Sequence, residues 1–328
     1  MDNMQWDKII GHGNKISNLR EMIKNQKFPH SLIMSGISGI GKRKIAEIAA
    51  AALLCENEDA PCGKCQSCRN FLSGTHSDYY LIEPDMTKAN PVIKIGQIRE
   101  MQREVSLMPM LSDRRVVVID GAEYMNNVSQ NCLLKTIEEP QGQSTFILIT
   151  ANRSKLLLTL LSRCMVINFD KLTESEITRG LNEREIIDAE KIAVISNGSL
   201  GQAITLASNG GLKLREDAIN FLETLDNLTI EEIFNRGQRF SELSKEQVLE
   251  WLASLQKFLR DLLIVDANVR DEFYYNRDLK ERLQKLNFEQ SRIFKMISET
   301  AELRRRLMSN ATLRLMIESY FMKLRFGG

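Results

Sequence analysis

The sequence has no apolar run long enough to cross a bilayer. Its longest, Ile45 to Leu54, is interrupted by Glu47, and a spanning helix needs about 20 apolar residues. The opening Met1-Asp2-Asn3-Met4-Gln5-Trp6-Asp7 is polar and lacks the apolar core of a secretory leader. A cytoplasmic address without membrane attachment is therefore the default expectation. Neither charge is in surplus: 44 Lys and Arg face 43 Asp and Glu, a net charge of +1. Proteins that hold DNA unaided carry a basic excess, because phosphate neutralisation dominates their affinity. Any DNA contact by this chain is expected to be shared with partners. Low-complexity stretches and internal repeats are also absent. What is left, over 328 residues that are 43% hydrophobic and 27% charged, is the composition of a globular protein of two or three domains.

The first half alternates short apolar runs with helical patterns. Ser31 to Ser35, Tyr79 to Glu83, Val116 to Asp120, Phe146 to Thr150 and Val166 to Phe169 read as strands. Helical patterns fall at Lys42 to Leu54, Ile95 to Leu107 and Val128 to Glu139. Continuous apolar strands separated by helices predict an α/β fold with a parallel sheet covered on both faces. After Asp170 the strand signals stop. Leu172 to Ser208 reads as a few short helices closed by Asn197-Gly198-Ser199-Leu200-Gly201. From Gly211 onward the apolar positions recur at helical spacing, as in Leu249, Leu252, Leu255, Phe258 and Leu259.

Gly36-Ile37-Ser38-Gly39-Ile40-Gly41-Lys42-Arg43 fits the phosphate-loop pattern up to its last position. Such a loop turns backbone N–H groups toward phosphates, while its lysine reaches the terminal ones. The last position should carry a hydroxyl that holds Mg²⁺. Arg43 stands there instead and cannot ligate a cation, a loss that phosphate binding survives better than hydrolysis does. A ligand-free strand-to-helix turn is the plainer alternative; Lys42, the flanking elements and a second motif weigh against it. That second motif is Asp120, at the end of an apolar strand, where a carboxylate would orient the metal. The residue after it is Gly121, and the nearest further acid, Glu123, reads as directed elsewhere.

Cys55, Cys62, Cys65 and Cys68 have the spacing of a closed four-thiolate shell. In a cytosolic chain this argues for structural Zn²⁺ before disulfides. An iron–sulfur cluster or redox role is the alternative, since spacing fixes ligands better than metal identity. Cys132 and Cys164 read as buried free thiols. Arg163 lies between a helical turn and the last strand, on the outward rim of the α/β region. On residue type alone it is an ordinary surface arginine.

Phe28-Pro29-His30-Ser31-Leu32-Ile33 is similar to a family strand entry written HAYLF. Thr75-His76-Ser77-Asp78 with Leu81-Ile82-Glu83-Pro84 resembles an HPD…IEP stretch. Asn131 to Pro140 is similar to NALLKTLEEP, and Ser162-Arg163-Cys164 to an SRC motif. Asn310 to Leu315 is a weaker likeness to a late NxxL helix. Together with the phosphate loop and the cysteines, these residues resemble the bacterial clamp-loader subunits of the AAA+ class, over most of the first 170 residues.

The resemblance implies an AAA+ α/β domain over 1–169 with a zinc module at 55–68, a helical lid over 170–210 and an all-α collar over 211–328. It implies a hetero-pentamer with tau/gamma and delta subunits, acting on the β sliding clamp and primer–template DNA. Two kinds of chain share this layout: an ATP-hydrolysing tau/gamma kind and a delta-prime kind whose own site has decayed. Arg43, Gly121, Gly201 where a sensor arginine is expected, and an end at residue 328 align with the second. The expected site residues are then Gly36, Gly39, Gly41, Lys42 and Asp120 in a degenerate site for which ATP or ADP binding stays open. Arg163 would act catalytically in trans, on a neighbour's ATP. Independent ATPase activity is not expected; activity belongs to the polymerase holoenzyme as a complex.

Overall fold

The computed structural model describes residues 5–86, 90–140, 142–208, 210–265, 270, 273–307 and 313–327. Met1 to Met4 and the Asn310–Thr312 part of the late helical motif lie outside the described residues. Helix α1 (Gly13–Lys24) precedes β1 (Ser31–Ser35), which runs through the glycine loop into α2 (Lys42–Leu54). Helix α3 (Gln66–Leu72) follows the cysteine segment and leads to β2 (Tyr79–Ile82). Then come α4 (Ile95–Val105), β3 (Arg115–Asp120), α5 (Asn127–Glu138), β4 (Ser144–Thr150), α6 (Leu158–Leu161) and β5 (Met165–Asn168). The expected strands are all present, with ends moved by at most two residues.

The strands form one five-stranded sheet in the order β2-β3-β4-β1-β5, and every pairing is parallel. The continuous apolar runs sit where the sheet needs them, with β1 and β4 buried along their whole length. Alternate residues serve opposite faces. Leu32, Met34, Val116, Val118 and Ile147 pack under α2, whose buried alanines (Ala46 and Ala49 to Ala52) let helix and sheet approach closely. Ile33, Val117, Ile119 and Leu148 pack on the other side with Ile98 and Leu133. The fold is the expected α/β class with a parallel sheet.

Everything described after β5 is helix or turn. Helices α7 (Glu174–Asn182), α8 (Ala189–Ile195) and α9 (Leu200–Ala207) follow. The closing turn expected at Asn197 to Gly201 is instead internal. Asn197 and Gly198, both at positive φ (51° and 83°), break the chain between α8 and α9, and a new helix starts at Leu200. The remaining elements are α10 (Gly211–Thr224), α11 (Ile230–Ser241), α12 (Lys245–Ile264), α13 (Lys280–Leu283), α14 (Gln290–Leu307) and α15 (Leu313–Phe326).

The chain forms two compact units. One comprises 1–86, 91–184 and 198–201; the other is chiefly 185–197 and 202–328. In the second, Thr229 with Glu232 and Ser244 with Gln247 form capping boxes that start α11 and α12. The apolar stripe on α12 buries Trp251, Leu252, Leu255, Phe258 and Leu259. Rings of Phe221, Phe240 and Phe321 surround Trp251 at centroid distances of 5.4, 5.0 and 5.8 Å. Asp217 Oδ2 accepts from the Trp251 indole at 2.8 Å and from Arg236 at 2.9 Å, so these buried donors are paired. Among the described residues no helix is long and apolar enough to cross a membrane.

Candidate nucleotide site, cysteine cluster and rim arginine

The glycine loop leaves the carboxyl end of β1, where ligand crevices of parallel α/β sheets lie. Its carbonyls are tied back one after another. Lys42 Nζ donates to Gly36 O at 2.6 Å and Ile37 O at 2.7 Å. Ser199 Oγ donates to Ser38 O at 2.9 Å, the Gly201 N–H donates to Gly39 O at 2.8 Å, and His12 Nε2 meets Ile40 O at 3.1 Å. Burial pulls the Lys42 pKa down against the opposing charges of Glu123 and Asp120. Gly41, at φ +95°, starts α2, a conformation that favours glycine. Gly201 lacks more than an arginine. A Cβ at that position would stand 2.8 Å from Gly39 Cα, so no side chain fits against the loop backbone as it stands.

Beside the loop lies a cavity of about 530 Å³. Lys42, Arg43, Glu83, Asp120 and Glu123 contribute to its wall. Asp120 ends β3 and pairs with Arg43, its Oδ2 3.1 Å from Nη1. The same Nη1 also meets Glu83, just past β2, and Arg43 Nε meets Glu47 Oε1 at 2.9 Å. Burial lowers the Arg43 pKa, but hydrogen bonds and charges from Glu83 and Glu47 outweigh it and the net shift is upward. Glu123 departs from expectation. Gly121 takes a left-handed conformation (φ +75°), and the short turn after it brings Glu123 back into the cavity wall. There its Oε1 accepts the Ala151 N–H at 3.0 Å, while its Oε2 is buried with no hydrogen-bond partner. The donor set fits a phosphate group, through loop and lysine. It does not fit a divalent ion at the usual place, because the Asp120 carboxylate is already paired with a guanidinium.

The four cysteines converge, with all ligand atoms within 4.8 Å of one another. Cys55 and Cys65 sulfurs are 4.0 Å apart and those of Cys62 and Cys68 3.9 Å; the edge of a tetrahedral ZnS₄ unit is about 3.8 Å at the usual bond length. Backbone N–H groups of Lys64 and Cys65 donate to Cys62 Sγ at 3.4 and 3.3 Å, and Asn57 Nδ2 donates at 3.1 Å. Burial would raise the Cys62 pKa, yet these donors bring it down to about 6. Burial pushes Cys68 and Cys55 upward. The cluster is able to hold a metal ion. Of the other two thiols, Cys164 is buried as expected. Cys132 is only half-buried and donates to Gln102 Oε1 at 3.3 Å; α5 leaves it beside α4 rather than under the sheet.

Arg163 sits between α6 and β5, with its side chain 42% exposed and paired with Glu138 at the end of α5. Its backbone carbonyl accepts Ser31 Oγ at 2.9 Å. Ser31 is the first residue of β1, whereas the glycine loop follows Ser35, the last. At 3.3 Å per residue, Arg163 and the loop are separated by roughly 13 Å of strand.

Two family models match the chain: one described as "DNA polymerase III, delta subunit" over residues 11–173, and its C-terminal counterpart over 210–323. The chain belongs to the DNA polymerase III delta/delta-prime family. Subunit delta-prime of Pseudomonas aeruginosa is 41% identical over 138 residues, 42% of each chain. That of Bacillus subtilis is 27% identical over 317 residues, 94% of each chain. Subunit tau of Bacillus subtilis is 31% identical over 288 residues, 84% of this chain and 50% of the relative. The chain thus spans half the length of the Bacillus subtilis tau subunit and 42% of that of the Pseudomonas delta-prime.

Within this delta/delta-prime chain, two features escaped the sequence reading. Glu83 was visible only as part of a motif. Its place beside Asp120 follows from the parallel register that pairs Ile82 with Ile119, and a strand-end acid next to another strand-end acid was the available signal. His76 and Asp78 are structural. His76 Nε2 meets Ser67 Oγ at 2.9 Å, and that hydroxyl donates to Leu54 O at 2.6 Å, joining α3 to the end of α2.

Proposed function

We propose that this chain is a delta-prime-type subunit of a DNA polymerase III clamp loader. In the cytoplasm it would join tau/gamma and delta subunits in a hetero-pentamer that loads the β sliding clamp onto primer–template DNA. Residues 170–210 would form a lid and 211–328 a collar that holds the pentamer together. The near-neutral charge fits a subunit that shares DNA with its neighbours. The Cys55, Cys62, Cys65 and Cys68 cluster would hold structural Zn²⁺.

The observation that supports the reading is the placement of charged groups at the two ends of β1. At its carboxyl end, the chain's own loop keeps Lys42 but has the metal-orienting Asp120 tied to Arg43. At its amino end, Arg163 stands half-exposed and remote from that loop. An arginine so placed can leave Glu138 and present its guanidinium to a γ-phosphate held by an adjacent subunit. In GTPases such a contact is worth roughly 10³–10⁵ in rate. Retention of Lys42 and Asp120, with the similarity to tau, favours the second reading, an ATP-hydrolysing tau/gamma-type subunit.

Turnover separates them. The isolated chain with Mg-ATP is expected to hydrolyse negligibly, and robust hydrolysis would establish the second reading. In a pentamer reconstituted with delta and gamma, Arg163→Ala is expected to reduce DNA-stimulated ATPase several-fold without disturbing assembly. An unchanged rate sinks the trans role.

A further inference from the structure

Glu83 and Asp120 leave the ends of β2 and β3 side by side, because the register pairs Ile82 with Ile119. Two carboxylates so placed repel each other and call for a shared cation. In metal-dependent phosphate-loop sites that cation is a divalent ion. Here the first turn of α2 delivers one covalently: Arg43 Nη1 contacts both Glu83 and Asp120, and its Nε holds Glu47. A surface arginine merely decorating α2 would make the Glu47 contact, four residues along the same helix, and no other. Bridging carboxylates from two strands is a different arrangement. A guanidinium offers five donors in a plane and stays charged at any working pH, so it fills the role without hydration or exchange.

We propose that Arg43 is a resident substitute for the divalent ion, one that closes this cavity to metal and makes any phosphate binding there metal-independent. The proposal rests on reading the cavity as a decayed nucleotide site, but adds a cause. The site is shut by an occupant, and carboxylates able to hold a metal stand paired with it. Removing the occupant should reopen it. Serine at position 43 would leave Glu47, Glu83 and Asp120 facing one another and restore the hydroxyl of the motif. Partly exposed ion pairs contribute little to stability, so the variant should fold.

The test is Mn²⁺ binding by the full, zinc-loaded chain, read by the loss of the free-ion electron paramagnetic resonance signal, with and without ADP. Wild type is expected to retain no more Mn²⁺ than its Asp120→Asn control. Arg43→Ser is expected to bind one ion per chain at least tenfold more tightly, and Arg43→Ser combined with Asp120→Asn to lose that gain. Asp120-dependent Mn²⁺ binding by wild type overturns the proposal, and this arm stands whether or not the variant folds. A folded Arg43→Ser without the gain also overturns it. Neither result bears on turnover or pentamer assembly, so the clamp-loader reading is judged separately.

Discussion

Just ahead of β2, the fully buried Asp78 carboxylate accepts the backbone N–H groups of Met110, Leu111 and Ser112 at 2.8, 2.7 and 2.9 Å. Burial would raise its pKa, but these bonds and the charge of Arg115 outweigh it and hold the value below the usual carboxylate range. The folded pKa is thus depressed relative to the unfolded chain. Its contribution to stability is complete above the unfolded value of about 3.9 and fades as pH falls through the lower folded one. Asp78→Asn keeps the shape but loses the charge and one acceptor, and is expected to cost about 2–3 kcal/mol at pH 7. In urea unfolding, the gap between variant and wild type should narrow below about pH 4. A gap that stays constant into acid would remove the charge from this account. Residues of this kind were the least legible in the sequence. Arg43 was visible as a departure from its motif, but its partners Glu47, Glu83 and Asp120 come from α2 and two strand ends, and only the sheet register brings the last two together. Glu123 was misjudged because a left-handed turn at Gly121 redirects the chain, and spacing alone does not reveal that.

Elements were far more legible, because their signals are local. The runs at β1, β3 and β4 are apolar throughout since both faces of the sheet are covered. The cysteine module was readable from spacing for the same reason: its four ligands fall within 14 consecutive positions, Cys55 to Cys68. Helix α3 has seven residues and is capped at its start by Cys65, whose sulfur accepts the Cys68 N–H at 3.3 Å. An isolated helix of that length is unstable in water, so its order should depend on the metal ion proposed for the cysteine cluster at its start. Anaerobic chelation is expected to release one metal ion per chain and to speed amide exchange across 55–72. Exchange in β3 and β4, deep in the sheet, should stay slow. Equal protection of α3 with and without metal would show that Ser67 and His76 suffice to hold it.

At the scale of the molecule, each compact unit has its own apolar core. Two clusters flank the sheet in the first, and one cluster running from Ala218 to Leu324 fills the second. The helical unit was readable as helices but not in its packing, because the ring cluster joins Phe221, Phe240, Trp251 and Phe321 from α10, α11, α12 and α15, contacts that helical periodicity does not specify. The chain's two tryptophans fall one in each unit, Trp6 in the first and Trp251 in the second. That distribution supplies a separate reporter for each core. Phe321 is fully buried and touches Trp251, Phe221 and Phe240; truncating such a ring leaves a cavity and costs about 3–5 kcal/mol. With Trp6→Phe as background, Phe321→Ala should move the urea midpoint reported by Trp251 fluorescence well below that of the parent. With Trp251→Phe as background, the same substitution should leave the Trp6 transition nearly in place, since the ring contributes nothing to the clusters around the sheet. Equal displacement of both signals would mean that the chain unfolds as one cooperative body, and that the helical core supports the α/β unit as well as itself.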